Sequence, residues 1–96
     1  EYNGTRVLSR ASVDEMMRVQ YPEIWRDMGL GWWFGQVGGR AALGADGGDK
    51  GVCTTAFILA DRSVGVAVFA NGERTSLGER AMFAIQERLL AEAKNL

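Results

Sequence analysis

The chain has 96 residues, 47% of them hydrophobic, with 11 basic and 12 acidic side chains and a net charge of −1. That length allows one domain over residues 1–96 and excludes two. The scattered, balanced charge excludes a nucleic-acid partner, whose phosphates need a clustered positive field. A single cysteine, Cys53, excludes an internal disulfide, and with no histidine in the chain a transition-metal ligand set is missing. Asp46 and Asp49 lack the spacing of a calcium loop, with no glutamate to close it. No metal and no cofactor is expected. No apolar run reaches the length of a membrane span and no signal peptide is visible, so no membrane partner is expected and the compartment stays open. The sequence opens on Glu1, compatible with a piece of a longer protein.

Ser12-Val13-Asp14-Glu15 reads as a capping box. Val13, Met16, Met17 and Gln20 then trace a short amphipathic helix that ends before Pro22. Residues 21–28 read as an irregular connection or a short turn of helix carrying Trp25. Leu30 to Val37, rich in aromatics, predicts a first strand, and Gly38-Gly39 predicts a hairpin turn. Arg40 to Gly44 predicts a second strand running into a glycine-rich loop over Ala45–Gly51. Val52 to Ala60 and Val64 to Ala70 predict two more strands, joined tightly by Asp61-Arg62-Ser63. Cys53, Phe57 and Leu59 should point one way and Val52, Ala56 and Ile58 the other. In the next strand Val64, Val66 and Val68 should oppose Ala67 and Phe69. Both faces of such a sheet need cover.

Ser76-Leu77-Gly78-Glu79 reads as a second capping box opening a long final helix. Its expected apolar stripe is Leu77, Ala81, Ile85, Leu89 and Ala93, widened by Met82, Leu90 and Leu96; Glu79, Arg80, Gln86, Glu87, Arg88 and Glu92 populate the other side. One stripe covers one sheet face. The second face is therefore expected to be bare, an area of roughly a few hundred Å2, enough to mark an interaction surface. The fold expected is α+β: a four-stranded antiparallel sheet, a short N-terminal helix, and a long C-terminal helix packed on one face.

The order helix, Gly29-Leu30-Gly31-Trp32-Trp33 strand, hairpin, Gly44-Ala45-Asp46-Gly47-Gly48-Asp49-Lys50-Gly51, two apolar strands ending in Ala70-Asn71-Gly72, and long final helix resembles one family. It is similar to the C-terminal part of the serine β-lactamases and penicillin-binding proteins, in particular the class C β-lactamase and esterase-like branch. Asn3-Gly4-Thr5-Arg6-Val7-Leu8-Ser9 is similar to the lead-in of that family's corresponding helix. The resemblance implies a partial β-lactamase-like fold. It also implies chemistry by a serine in Ser-x-x-Lys, a Tyr-x-Asn or Ser-x-Asn element, and a third element of Lys or His, a small residue and Gly on a strand. No serine or threonine here is followed three residues on by lysine, and there is no Tyr-x-Asn or Ser-x-Asn. The third element maps onto Ala45-Asp46-Gly47, with Gly48 as the oxyanion-side amide. Ala45 stands where the cation belongs, so no residue of this chain is assigned as catalytic.

The remaining candidates are weaker chemistry. The Ala45–Gly51 backbone amides could line a site, although a structural turn accounts for the same glycines. Trp32 and Trp33 are expected to split, one into the core and one toward an edge or interface; with Phe57 they are the candidate ligand or interface residues. Cys53 reads as a buried core thiol. Two functions are compatible with this pattern. One is a truncated or detached C-terminal segment of a serine hydrolase, non-catalytic alone. The other is a stand-alone, oligomeric small-molecule-binding or interaction module. The partner expected is a second copy on the uncovered sheet face, or a missing N-terminal portion.

Overall fold

The computed structural model describes residues 1–93. Its elements are α1 (Arg10–Met16), β1 (Trp33–Val37), β2 (Arg40–Asp49), β3 (Val52–Leu59), β4 (Gly65–Ala70) and α2 (Ser76–Ala93). The four strands form one antiparallel sheet in the order β1-β2-β3-β4, with α2 across one face, as the α+β reading expects. Leu96, assigned to the helix stripe, lies outside the described residues.

Both strand-to-strand turns that precede β2 and β3 hold two residues. Val37 pairs with Arg40 across Gly38-Gly39, and both glycines have positive φ, 57° and 73°, a conformation nearly free of cost only without a Cβ. Asp49 pairs with Val52 across Lys50-Gly51. The expected loop over Ala45–Gly51 is therefore corrected: β2 runs on to Asp49. Gly47 and Gly48 weaken a strand but do not forbid one, and opposite them Thr54 and Cys53 of β3 supply the ladder.

The faces follow from register. Trp33, Val37, Ala42, Gly44, Asp46, Cys53, Thr55, Phe57, Leu59, Val66 and Val68 share the α2 side. Val37, Ala42, Phe57, Leu59 and Leu90 form the buried core, with Val64 and Val66 packed against it. The alternation expected for β3 and β4 holds. Trp33 lies flat on its own sheet: a Cβ at Gly35 would sit 2.9 Å from the indole, and one at Gly44 would sit inside the ring. Two residues without side chains are thus the floor on which this tryptophan rests.

Four boundaries and faces differ from expectation. The cap of α1 is Ser9, whose Oγ accepts from the Ser12 amide at 3.0 Å; Glu15 instead binds the Arg18 guanidinium at 2.6 Å, so the proposed box never closes. β1 begins at Trp33 because Gly29 N–H donates to the Trp32 carbonyl at 2.7 Å and Gly31 turns with φ 76°, which leaves Leu30 to Trp32 in a bend. α2 is capped by Thr75, which accepts from Gly78 N–H at 3.0 Å. The fourth difference is rotation of α2. Its buried line is Met82, Gln86 and Leu90, whereas Leu77, Ile85 and Leu89 stay exposed. Gln86, expected on the solvent side, is 1% exposed and donates from Nε2 to Thr55 Oγ1 at 3.0 Å.

The second sheet face is only half bare. Leu43, on that face, is 4% exposed. The segment before β1 reaches it: Gly29 is buried against Met16, Arg18 and the Phe34 ring, and Asp14 pairs with Arg62 in the β3–β4 turn at 2.5 Å. Toward β4 the face is open, with Phe69 78% exposed and Val52 and Ala67 also exposed.

Two predictions follow from this packing. Gly44→Ala forces the Trp33 ring off the sheet and lowers stability by about 1–3 kcal/mol, read as an earlier urea midpoint with red-shifted tryptophan emission; an unchanged midpoint would refute the close contact. Asp61 accepts from the Ser63 hydroxyl at 2.6 Å and amide at 3.0 Å and pairs with Arg40 at 2.7 Å. These contacts, the Ser63 hydroxyl first, hold its carboxyl below the ordinary value of 3.8. A depressed folded value means that the folded chain binds fewer protons. Its stabilisation is present above the unfolded value, about 4, and is lost as pH falls through the folded one. The urea-midpoint gap between the wild type and Asp61→Asn should therefore shrink as pH falls from about 6 to about 2. A constant gap would count against these carboxylate contacts as its source.

Candidate functional site

The residues that resemble a third catalytic element lie where the sheet loses a strand. β1 pairs with Arg40 to Gly44 only, whereas β3 pairs with β2 as far as Asp49. In an antiparallel ladder successive residues turn their N–H and C=O to opposite sides. Ala60 N–H donates to the Ala41 carbonyl at 2.9 Å, so the odd-numbered residues of β2 address β3 and the even-numbered ones address the other side. Ala42 and Gly44 face β1 on that side. Asp46 and Gly48 face outward, and among the described residues no strand lies beyond them.

Side chains alternate as well. Ala45 and Gly47 belong to the face shared with Leu43, while Asp46 and Gly48 belong to the α2 face. Ala45 is half-buried and carries neither proton nor charge. Asp46 is held by Arg74, whose guanidinium also binds Glu79 in the first turn of α2. The Glu79 and Asp46 carboxylates push the Arg74 guanidinium above its ordinary value. The Arg74 side chain passes over Gly48, where an added Cβ would meet it at 3.4 Å. Because one cation serves two carboxylates, the cluster carries net negative charge.

Beside this cluster lies a cavity of about 530 Å3 with mainly apolar walls, formed by Trp25, Met28, Trp33, Cys53, Met82 and Phe83, with Asp46, Arg74 and Glu79 at its polar end. Trp33 Nε1 is buried with no hydrogen-bond partner among the described residues. Cys53 is buried and its Sγ donates to Met82 Sδ at 3.2 Å, a packed thiol rather than an exposed nucleophile.

Of the expected ligand or interface residues, the structure places only Trp33 on the cavity wall. Trp32 sits half-buried in the bend ahead of β1 and outside that wall. Phe57 is 3% exposed within the core. The two tryptophans therefore point apart, as neighbouring residues at a strand entrance do. Sequence reasoning missed Arg74, Glu79, Met82 and Phe83. Arg74 belongs to no periodic pattern, and its partner Asp46 lies 28 residues away; only the extension of β2 brings them together. Met82 and Phe83 are visible as apolar positions, but their role depends on the rotation of α2. No protein-family model, no curated protein and no solved structure matches the chain.

Proposed function

We propose that the chain is the C-terminal segment of a β-lactamase-like serine hydrolase, supplying one wall of an active site and none of its catalytic groups. The observation that carries this reading is the open edge of β2. Asp46 and Gly48 direct backbone N–H and C=O outward at the positions the resemblance gives to the third element and its oxyanion-side amide. A wall of that kind binds an extended acyl substrate through main-chain hydrogen bonds and needs a nucleophile from elsewhere. This chain has no Ser-x-x-Lys and no Tyr-x-Asn, and Ala45 stands in the cationic position. The Asp46–Arg74–Glu79 cluster would repel a carboxylate rather than attract one.

Steady-state assays with a chromogenic β-lactam and a p-nitrophenyl ester test the reading. The purified chain should give no turnover above buffer, and turnover that survives purification would overturn it. Coding sequence upstream of residue 1 should hold an in-frame Ser-x-x-Lys. A start codon directly ahead of Glu1 would overturn the segment reading by a separate route.

A second reading has its own support in the cavity between Trp33 and Phe83. A stand-alone module would take a flat apolar ligand there, against the Trp33 and Phe83 rings. It predicts saturable quenching of tryptophan emission by 2-naphthol, weakened at least tenfold by Phe83→Glu, a substitution at a side chain 48% exposed. Linear quenching, unchanged by that substitution, would remove this reading.

A further inference from the structure

The two edges of the sheet are treated differently. The outer edge of β1 is covered at its start by its own chain, since Phe34 N–H donates to the Asp27 carbonyl at 2.7 Å and Met28 bridges Trp33. The outer edge of β4 has no strand against it among the described residues. Its sequence, Gly65-Val66-Ala67-Val68-Phe69-Ala70, holds no charge and no proline, and these are the devices that normally guard an edge. Leu59 N–H donates to the Val64 carbonyl at 2.9 Å. By alternation Val66, Val68 and Ala70 address β3, and Gly65, Ala67 and Phe69 turn their N–H and C=O outward.

We propose that this edge pairs with β4 of a second copy of the chain, antiparallel, with Ala67 on the two-fold axis. The unpaired groups select that register. Ala67 faces the partner's Ala67, and Gly65 faces the partner's Phe69. All three outward residues of each copy then gain both of their hydrogen bonds, six across the axis by the pairing rule. Side chains agree on both faces. The exposed Phe69 ring lies over the partner's Gly65, which has no side chain to obstruct it, an arrangement that shields a strand glycine. On the α2 face Val66 meets the partner's Val68, a β-branched cross-strand pair.

The helix above points the same way. Phe83 flanks the buried line of α2 on the side of the cavity and β1. By helical spacing Ile85 and Leu89 fall on the opposite flank, away from the cavity, and are 46% and 43% exposed. A second copy placed on the edge extends the sheet to eight strands and brings the two flanks toward each other. An edge about 20 Å long on a molecule 25 Å deep gives about 500 Å2 per copy, about 1,000 Å2 in total, the lower limit of specific interfaces. Interfaces at that end of the size range are weak and reversible, so the dimer should dissociate on dilution. The inference concerns the 96-residue chain and does not rest on the hydrolase reading, which the hydrolysis assay tests separately.

Sedimentation velocity and cysteine crosslinking decide it. The chain should sediment as a dimer at about 100 μM and dissociate on dilution, as an interface of that size implies. Ala67→Pro removes an outward donor that its own sheet does not use, and should yield a monomer with an unchanged far-ultraviolet dichroism spectrum. The register has an independent readout that tolerates no loss of fold. Facing residues have Cα atoms about 5.5 Å apart, within reach of a disulfide. Ala67→Cys should therefore oxidise to a covalent dimer at least tenfold faster than Phe69→Cys, whose copies lie about 13 Å apart. The native thiol of Cys53 is buried and does not compete. A monomer at every concentration overturns the proposal. So does a dimer that survives Ala67→Pro, or equal crosslinking at the two positions.

Discussion

The ladder between β2 and β3 is the constraint on which the rest of the molecule depends. It runs from Ala42 opposite Leu59 to Asp49 opposite Val52 without a break. A strand's side chains alternate with period two, so one register decides every face at once. With it fixed, Phe57 and Leu59 enter the core under α2, and Asp46 rises on that same side to meet Arg74. A slip of β2 by one residue would put Asp46 in the half-buried place of Ala45, away from Arg74, and turn Ala42 out of the core. Burial of an unpaired carboxylate costs several kcal/mol, so the two-residue turns at Gly38-Gly39 and Lys50-Gly51 do more than join strands. They hold a register whose alternatives are all expensive.

The same ladder explains why the candidate site is open. β3 supports β2 along its whole length, so β2 persists past Gly44 without help from β1. β1 stops there because Trp33 ends it: the indole lies across Gly44 and Gly35, and the chain ahead turns away through Gly31. What is left is a strand edge with one supported side and one free side, floored by a tryptophan and roofed by the first turns of α2. The polar end of the adjoining cavity is dominated by two carboxylates on a single guanidinium. A group of that charge favours neutral or cationic ligands over anionic ones, whatever completes the site.

Much of this was legible in the residues. The alternation of Cys53, Phe57 and Leu59 against Ala56 and Ile58, the paired glycines at 38 and 39, and the turn at Asp61 all carry local chemistry that tertiary context did not override. Three features were not legible, each for a physical reason. Gly47 and Gly48 have the composition of a loop, and only pairing with Cys53 and Thr54 makes them a strand. Ser9 and Ser12 both offer a hydroxyl three residues ahead of a helical amide; the helix starts at Arg10, the Ser12 amide donates to Ser9, and Glu15 is left to pair with Arg18. The position of Arg74 beside Asp46 depends on the strand extension, which has no signature near Arg74, and on the Thr75 cap, whose hydroxyl competes in sequence with that of Ser76 next to it.

The rotation of α2 is the most instructive departure, because it runs against the hydrophobic pattern. Turning the helix so that Ile85 and Leu89 faced the sheet would bury two branched aliphatic side chains and release Gln86, whose Oε1 is buried without a partner among the described residues. Judged by its own sheet alone, that rotation should be favoured, since an unsatisfied buried acceptor costs about 1–3 kcal/mol. The anchors at either end resist it. Glu79 is tied to Arg74 at the first turn, and Leu90 is seated in the core above the Gly38 turn. Leu90 and Ile85 lie on opposite sides of the helix axis by more than a third of a turn at about 100° per residue, so one helix cannot bury both against one sheet. Its apolar surface is wider than a single face can use. The surplus lies on the flank opposite Phe83 and the cavity, and the β4 edge of the sheet is likewise without a strand against it among the described residues.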